Sequence, residues 1–282
     1  MKIKIIYSLI LCLFTAKFYS QENGIKWKPA VKEPVEFSNL FHSVESINLP
    51  TATTISKGDF QFEISHRFLP RISDGYESLY GFDGPVNIRL GLSYAITDDL
   101  MTRLMRSNVD DNLELRFKYK IVSHTFGSIP FSAAIAFAGV WNSGRIGSKP
   151  EGASDYQYYG QLVLNTLISK KLGIGVVPSF LYNTSIYTAD QKTSFTFGTY
   201  FQYYISGMFS LMAEWNPTVT GYRNRHDSFS FGFEIETGGH FFKIIATNNS
   251  NLNPSQFIAG ADLYSSAKNL RIGFNITRLL RF

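Results

Sequence analysis

The chain has 282 residues, among them 25 Phe, 16 Tyr and 22 Gly, and only 17% are charged. Phe and Tyr suit pleated, half-buried surfaces, so the composition favours one large β domain and argues against a helical one. The formal charge of +5 falls to about +2 when the three lysines of residues 1–20 are subtracted, which leaves no basic field for nucleic acid.

The first twenty residues open with Lys2 and Lys4, continue with an apolar run from Ile5 to about Ala16, and close on polar residues near Ser20. That order reads as a secretory signal peptide. Tyr19 and Phe18 blur the small-residue cleavage pattern. Cys12 is the chain's one cysteine and lies inside the apolar run. The run continues past it, which argues against a lipid anchor. The exported chain then carries no thiol, disulfide or cysteine metal site. Residues 21–56 contain Pro29, Pro34 and Pro50 and show no sustained alternation. They read as a periplasmic extension: a plain linker in the simpler reading, or a segment folded into the mouth of the domain that follows.

From Lys57 onward, two-faced segments of about 8–14 residues recur, which is the period of β-strands. There are twelve: Gly58–Pro70, Pro85–Ile96, Leu100–Ser107, Asn112–Val122, Pro130–Trp141, Tyr156–Lys170, Gly173–Thr184, Thr193–Ile205, Met208–Val219, Ser228–Thr237, His240–Asn248 and Asn269–Phe282. In Asn112–Val122, for example, Leu113, Leu115, Phe117, Tyr119 and Ile121 share one face, and Glu114, Arg116, Lys118 and Lys120 the other. Strands of soluble folds usually run about 5–6 residues, whereas membrane-spanning strands need roughly 9–11. Connections alternate between tight turns, such as 97–99, 206–207 and 238–239, and longer polar stretches, such as 71–84, 142–155 and 249–268; residues 108–111 break the pattern by being short. Long strands with short turns on one side and long loops on the other predict a transmembrane antiparallel β-barrel of about 12 strands over residues 57–282, with both chain ends on the periplasmic side. In hydrocarbon every backbone polar group needs an internal partner, so the last strand has to close on the first. Tyr76, Tyr80, Trp141, Tyr156, Tyr158, Tyr159, Tyr182, Tyr187, Trp215 and Tyr222 cluster where strands meet loops and read as interfacial girdles.

Two stretches carry a resemblance. The ending ITRLLRF closes an amphipathic strand on Phe282 and resembles the C-terminal signal by which Gram-negative outer-membrane barrels are recognised for insertion. The stretch Phe62–Asp99 resembles an uncharacterised family of bacterial outer-membrane β-barrel proteins. Its marks are a strand ending in S-H-R-F (Ser65–Phe68), a turn at Gly81–Asp83 and a strand RLGLSYAIT; Leu69 stands where that family more often has Gly. The resemblance implies a barrel in the outer membrane of a Gram-negative bacterium, with the bilayer and the barrel-insertion machinery as partners. It implies no activity.

Catalytic chemistry finds little support. Of the five histidines, only His66 falls in the apolar phase of a strand, and no serine-centred motif shares that phase. No zinc-binding, nucleophile-elbow or phosphate-loop spacing occurs, so the expectation is no enzyme, no metal and no cofactor. The polar phase is more informative. If it faces inward, Arg67, Arg89, Arg103, Arg116, Lys118 and Arg271 form one basic arc across the closure, with Glu63 and Glu114 inside it. Glu214, Glu234 and Glu236 stand on later strands. Such a lumen is expected either to be a constriction that sorts small polar solutes by charge or to be closed by its own paired charges. The alternative function is an accessory barrel that anchors a periplasmic or surface partner without transport.

Overall fold

The computed structural model describes residues 40–144 and 150–281. The leader at residues 1–20, the first part of the extension and the terminal Phe282 lie outside them. Thirteen strands form one sheet: β1 (Phe60–Arg71), β2 (Val86–Ala95), β3 (Leu100–Ser107), β4 (Asn112–Phe126), β5 (Ile129–Asn142), β6 (Tyr156–Ile168), β7 (Leu172–Tyr182), β8 (Thr193–Tyr204), β9 (Phe209–Asn216), β10 (Thr218–Gly221), β11 (Ser228–Glu236), β12 (His240–Thr247) and β13 (Arg271–Leu280). Each strand is antiparallel to the next around the ring, and β13 returns to β1 with Phe60 opposite Leu280 and Ile64 opposite Ile276. Strands β9 and β10 are one stave, because both pair with β8. Pro217 breaks it: it has no N–H to give the ladder, and only its carbonyl takes part, accepting from Phe197 N at 3.0 Å. The ring is therefore the closed 12-strand antiparallel barrel expected from the sequence. The connection expected at residues 123–129 is shorter than read, since β4 and β5 run on to a turn at Gly127–Ser128.

Polarity is inverted relative to a water-soluble fold. On β2, Leu90 and Leu92 face outward and are nearly half exposed, while Arg89 and Ser93 are buried. On β4, Leu115, Phe117 and Tyr119 face outward, and Glu114, Arg116 and Lys118 are buried. Arg and Lys are almost never fully buried without partners, so this arrangement needs an apolar solvent outside and compensating charges within. Trp141, Tyr156, Tyr158, Tyr182 and Trp215 are exposed on the outer wall, as girdle residues should be. Tyr159 is a correction to the girdle: it faces inward and donates to Glu114 Oε2 at 3.1 Å.

The interior is filled from both ends. Residues 43–55 are all buried; this part of the extension is not a linker but a finger inside the barrel. Its two limbs are joined by Ser46 N→Leu49 O (2.9 Å) and Thr51 N→Val44 O (3.1 Å). Both limbs leave by the short-turn rim. Phe41 lies against Gly173, where a Cβ would come within 2.6 Å of its ring. Thr54 Oγ1 donates to Asp98 O (2.5 Å) in the β2–β3 turn. From the opposite end the β12–β13 loop folds inward through a single helical turn, α1 (Pro254–Ile258), whose five residues are buried. Leu49 of the finger and Phe257 of α1 share one apolar cluster with Ala134, Val163, Val177 and Tyr200.

Candidate functional site in the lumen

The site is where the finger meets the inward face of β1–β4. Period two places Arg67, Arg89, Arg103, Arg116 and Lys118 on that face, and none is more than 1% exposed. The finger answers with Glu45. Its Oε1 lies 2.6 Å from Arg116 Nη2 and 3.0 Å from Arg103 Nη1, and its Oε2 lies 3.3 Å from Arg89 Nη2. Glu63 on β1 is the second anion. It pairs with Arg89, receives Arg103 Nη2 at 2.9 Å, and accepts from Ser65 Oγ at 2.6 Å. Arg67 donates to Asn275 Oδ1 at 2.8 Å and to the finger's Asn48 Oδ1 at 2.9 Å. Lys118 Nζ donates to three finger carbonyls, those of Val44 (3.1 Å), Thr51 (2.8 Å) and Thr53 (2.6 Å).

The opposite wall grips the tip. Glu214 on β9 accepts three successive backbone N–H groups: Ile47 (2.6 Å), Asn48 (2.9 Å) and Leu49 (3.1 Å). Successive N–H groups aimed at one point form an anion-binding concavity, here filled by a side chain of the wall. Lys243 on β12 donates to Glu45 O (2.7 Å) and Ser46 O (2.5 Å), and lies 3.3 Å from Glu234 Oε2. Gln202 holds the other oxygen of Glu234 at 2.8 Å.

The structure thus brings Arg67, Arg89, Arg116, Lys118, Glu63, Glu214 and Glu234 into the lumen, where sequence placed them. It does not bring Arg271 and Glu236 there. Arg271 lies at the long-loop end, where Nη1 and Nη2 hold Asp262 at 2.8 and 2.7 Å and Nε donates to Leu69 O at 2.7 Å. It clamps the β12–β13 loop. Glu236 turns back at the opposite rim, accepting from Gly238 N (2.8 Å) and Gly239 N (3.1 Å). His66 stacks on Phe274 across the β1–β13 closure, centroids 4.5 Å apart. Sequence reasoning missed Glu45 and Lys243. A usable signal was present for the finger: Gly173 and Gly198 occupy inward positions of β7 and β8, and glycine inside a strand marks close approach by another element. A Cβ at Gly198 would lie 2.8 Å from Leu49.

The electrostatics of Glu45 give a pH dependence. Burial pushes its carboxyl up, but the guanidiniums of Arg103, Arg116 and Arg89 outweigh burial and hold it below the usual carboxylate range. A group whose folded pKa is depressed contributes stability above its unfolded pKa and loses it as pH falls through the folded value. The finger is therefore expected to be seated at neutral pH and loosened in acid. Hydrogen exchange of residues 43–55 across decreasing pH checks this. In Glu45→Gln the loosening should lose part of its pH dependence, and an unchanged profile would refute the assignment.

A family model described as a membrane-bound β-barrel domain, DUF5777, matches residues 41–280. A comparison with curated protein sequences finds no match. Among solved structures the fold is similar to the KdgM porin (10% identity, TM-score 0.44, covering 79% of this chain and 99% of that one). It is also similar to the NanC porin (10%, 0.44, 80% and 100%) and to the outer membrane protein Omp33 of Acinetobacter baumannii (9%, 0.41, 80% and 99%). Closed ring, apolar exterior, charged interior and a family match over most of its length agree: the chain belongs to the DUF5777 family of membrane-bound β-barrel domains.

Proposed function

We propose that the protein is an outer-membrane barrel for passive passage of small polar solutes, closed in the state described by its own N-terminal finger. One observation carries the reading: both limbs of the finger leave by the same rim. It can withdraw as a loop while every strand pair of the ring stays intact. Ion pairs and hydrogen bonds hold it alongside apolar contacts of Val44, Ile47, Leu49 and Ile55, and water can take over the polar contacts of a withdrawing segment, as it cannot for the backbone of a lipid-facing strand. In this reading the leader at residues 1–20 exports the chain, and insertion machinery recognises the last strand through Phe282.

The second reading is an accessory barrel that anchors a partner without transport. It is favoured by α1, which puts Phe257 and Ile258 into the outer half of the lumen.

A disulfide lock separates the two. Asn48 Nδ2 donates to Ser230 Oγ at 3.2 Å, so Asn48→Cys with Ser230→Cys can tie the tip to β11. In planar bilayers the reduced double variant should conduct, oxidation should abolish the current, and dithiothreitol should restore it. Equal current in both redox states, or none above leak in the wild type and in a chain lacking residues 43–53, would leave the accessory reading standing.

A further inference from the structure

We propose that Arg89, Arg103 and Arg116, flanked by Arg67 and Lys118, form a binding site for the carboxylate of a small anionic solute, and that Glu45 is its tethered occupant. The proposal rests on the withdrawable finger argued above and adds the ligand class.

Three observations support it. The first is charge. Five cationic side chains face the lumen from β1–β4, and Glu45 and Glu63 are the carboxylates that pair with three of them, Arg89, Arg103 and Arg116. Glu114 is engaged elsewhere, accepting from Ser255 N at 2.9 Å and from Tyr159. When the finger leaves, Glu63 alone stays among the five.

The second is unused donor capacity. The Nε groups of Arg67, Arg89, Arg103 and Arg116, and Nη1 of Arg116, are buried and have no acceptor among the described residues. Interiors built only for stability rarely leave so many buried donors unmatched in one place.

The third is shape. Three guanidiniums converge on one carboxylate and engage both of its oxygens, at 2.6, 3.0 and 3.3 Å. Their planar forks match carboxylate geometry and discriminate it from a neutral solute. Of the two carboxylates in the cluster, Glu63 is fixed on a strand, and Glu45 arrives on the segment that can move. A diffusing carboxylate would meet the same donors once Glu45 departs. While tethered, Glu45 competes at an effective concentration in the millimolar range. A solute bearing several carboxylates therefore displaces it better than one bearing a single carboxylate.

Citrate is the probe, and sucrose the neutral control. The Glu45→Gln barrel, folded in detergent, should bind citrate about tenfold or more tightly than the wild type by calorimetry, and Glu45→Gln with Arg116→Gln should lose that gain. In the wild type, citrate but not sucrose should speed hydrogen exchange of residues 43–55, a readout that does not depend on any variant folding. Equal citrate affinity in wild type and Glu45→Gln, or finger exchange indifferent to citrate, overturns the site. Conductance that follows the disulfide lock without discriminating citrate from sucrose would leave the gate standing and remove the site. Citrate binding without any lock-dependent current would do the reverse.

Discussion

Replacing Glu45 with alanine should weaken seating of the finger by about 3–5 kcal/mol, the usual cost of deleting one partner of a buried ion pair. The physical reason is what the substitution leaves behind. Arg89, Arg103 and Arg116 are at most 1% exposed. Without Glu45 they repel one another in a low-dielectric interior with Glu63 as their one remaining carboxylate partner. The cheapest relief is water, and water reaches them when the finger leaves. The loss should therefore appear as local opening rather than as melting of the ring. Exchange protection of residues 43–55 should fall by about two to four orders of magnitude, while strand amides of β5–β8 hold theirs. Protection in the finger equal to wild type would mean that the seat does not depend on this charge.

Leu115→Arg should cost about 2–4 kcal/mol of folding free energy in a bilayer, the range for a cationic side chain placed near the midplane of a barrel's lipid face. Leu115 of β4 lies between Leu104, midway along β3, and Gly139 of β5. It is 44% exposed on the outer wall. One position along, Arg116 carries the same charge inward and has its acceptor in Glu45. The contrast between neighbours isolates which side faces lipid. Urea titration of the barrel folded into vesicles measures it. A Leu115→Arg barrel as stable as wild type would invert the assignment of faces.

Period two told which face a side chain occupies, and that sufficed for the ring. The β4 register, with Leu113, Leu115 and Phe117 outside and Glu114, Arg116 and Lys118 inside, follows directly from alternation. The same rule is silent on depth. Arg271 and Glu236 have phases compatible with the lumen, but each stands near a strand end. There one meets Asp262 of an outer loop and the other meets the backbone of a turn. On β3 the alternation itself is weak, because apolar residues stand on both faces, Met101 and Met105 inward and Leu104 outward, so the phase of Arg103 is less marked in the sequence than that of Arg116. Lys243 was hidden for a similar reason, standing in the inward phase between buried Phe241 and Ile245. Glu45 had no phase at all. The finger is neither helix nor extended strand, so its burial comes from the shape of the cavity that receives it, and no local repeat records that.

The position of the finger in the chain has a consequence for the order in which the molecule is made. Glu45 reaches Arg89 and Arg116 across only 44 and 71 residues, whereas the grips of Glu214 and Lys243 span 167 and 198. Contacts of short separation need less loop-closure entropy and form earlier. The first four strands, with the N-terminal segment laid across them, can neutralise much of their cationic surface before β13 exists. The segment that ends up filling the lumen can thus serve first as a counterion for a half-built sheet, and an assembly intermediate lacking it would carry the strands' positive charge unshielded.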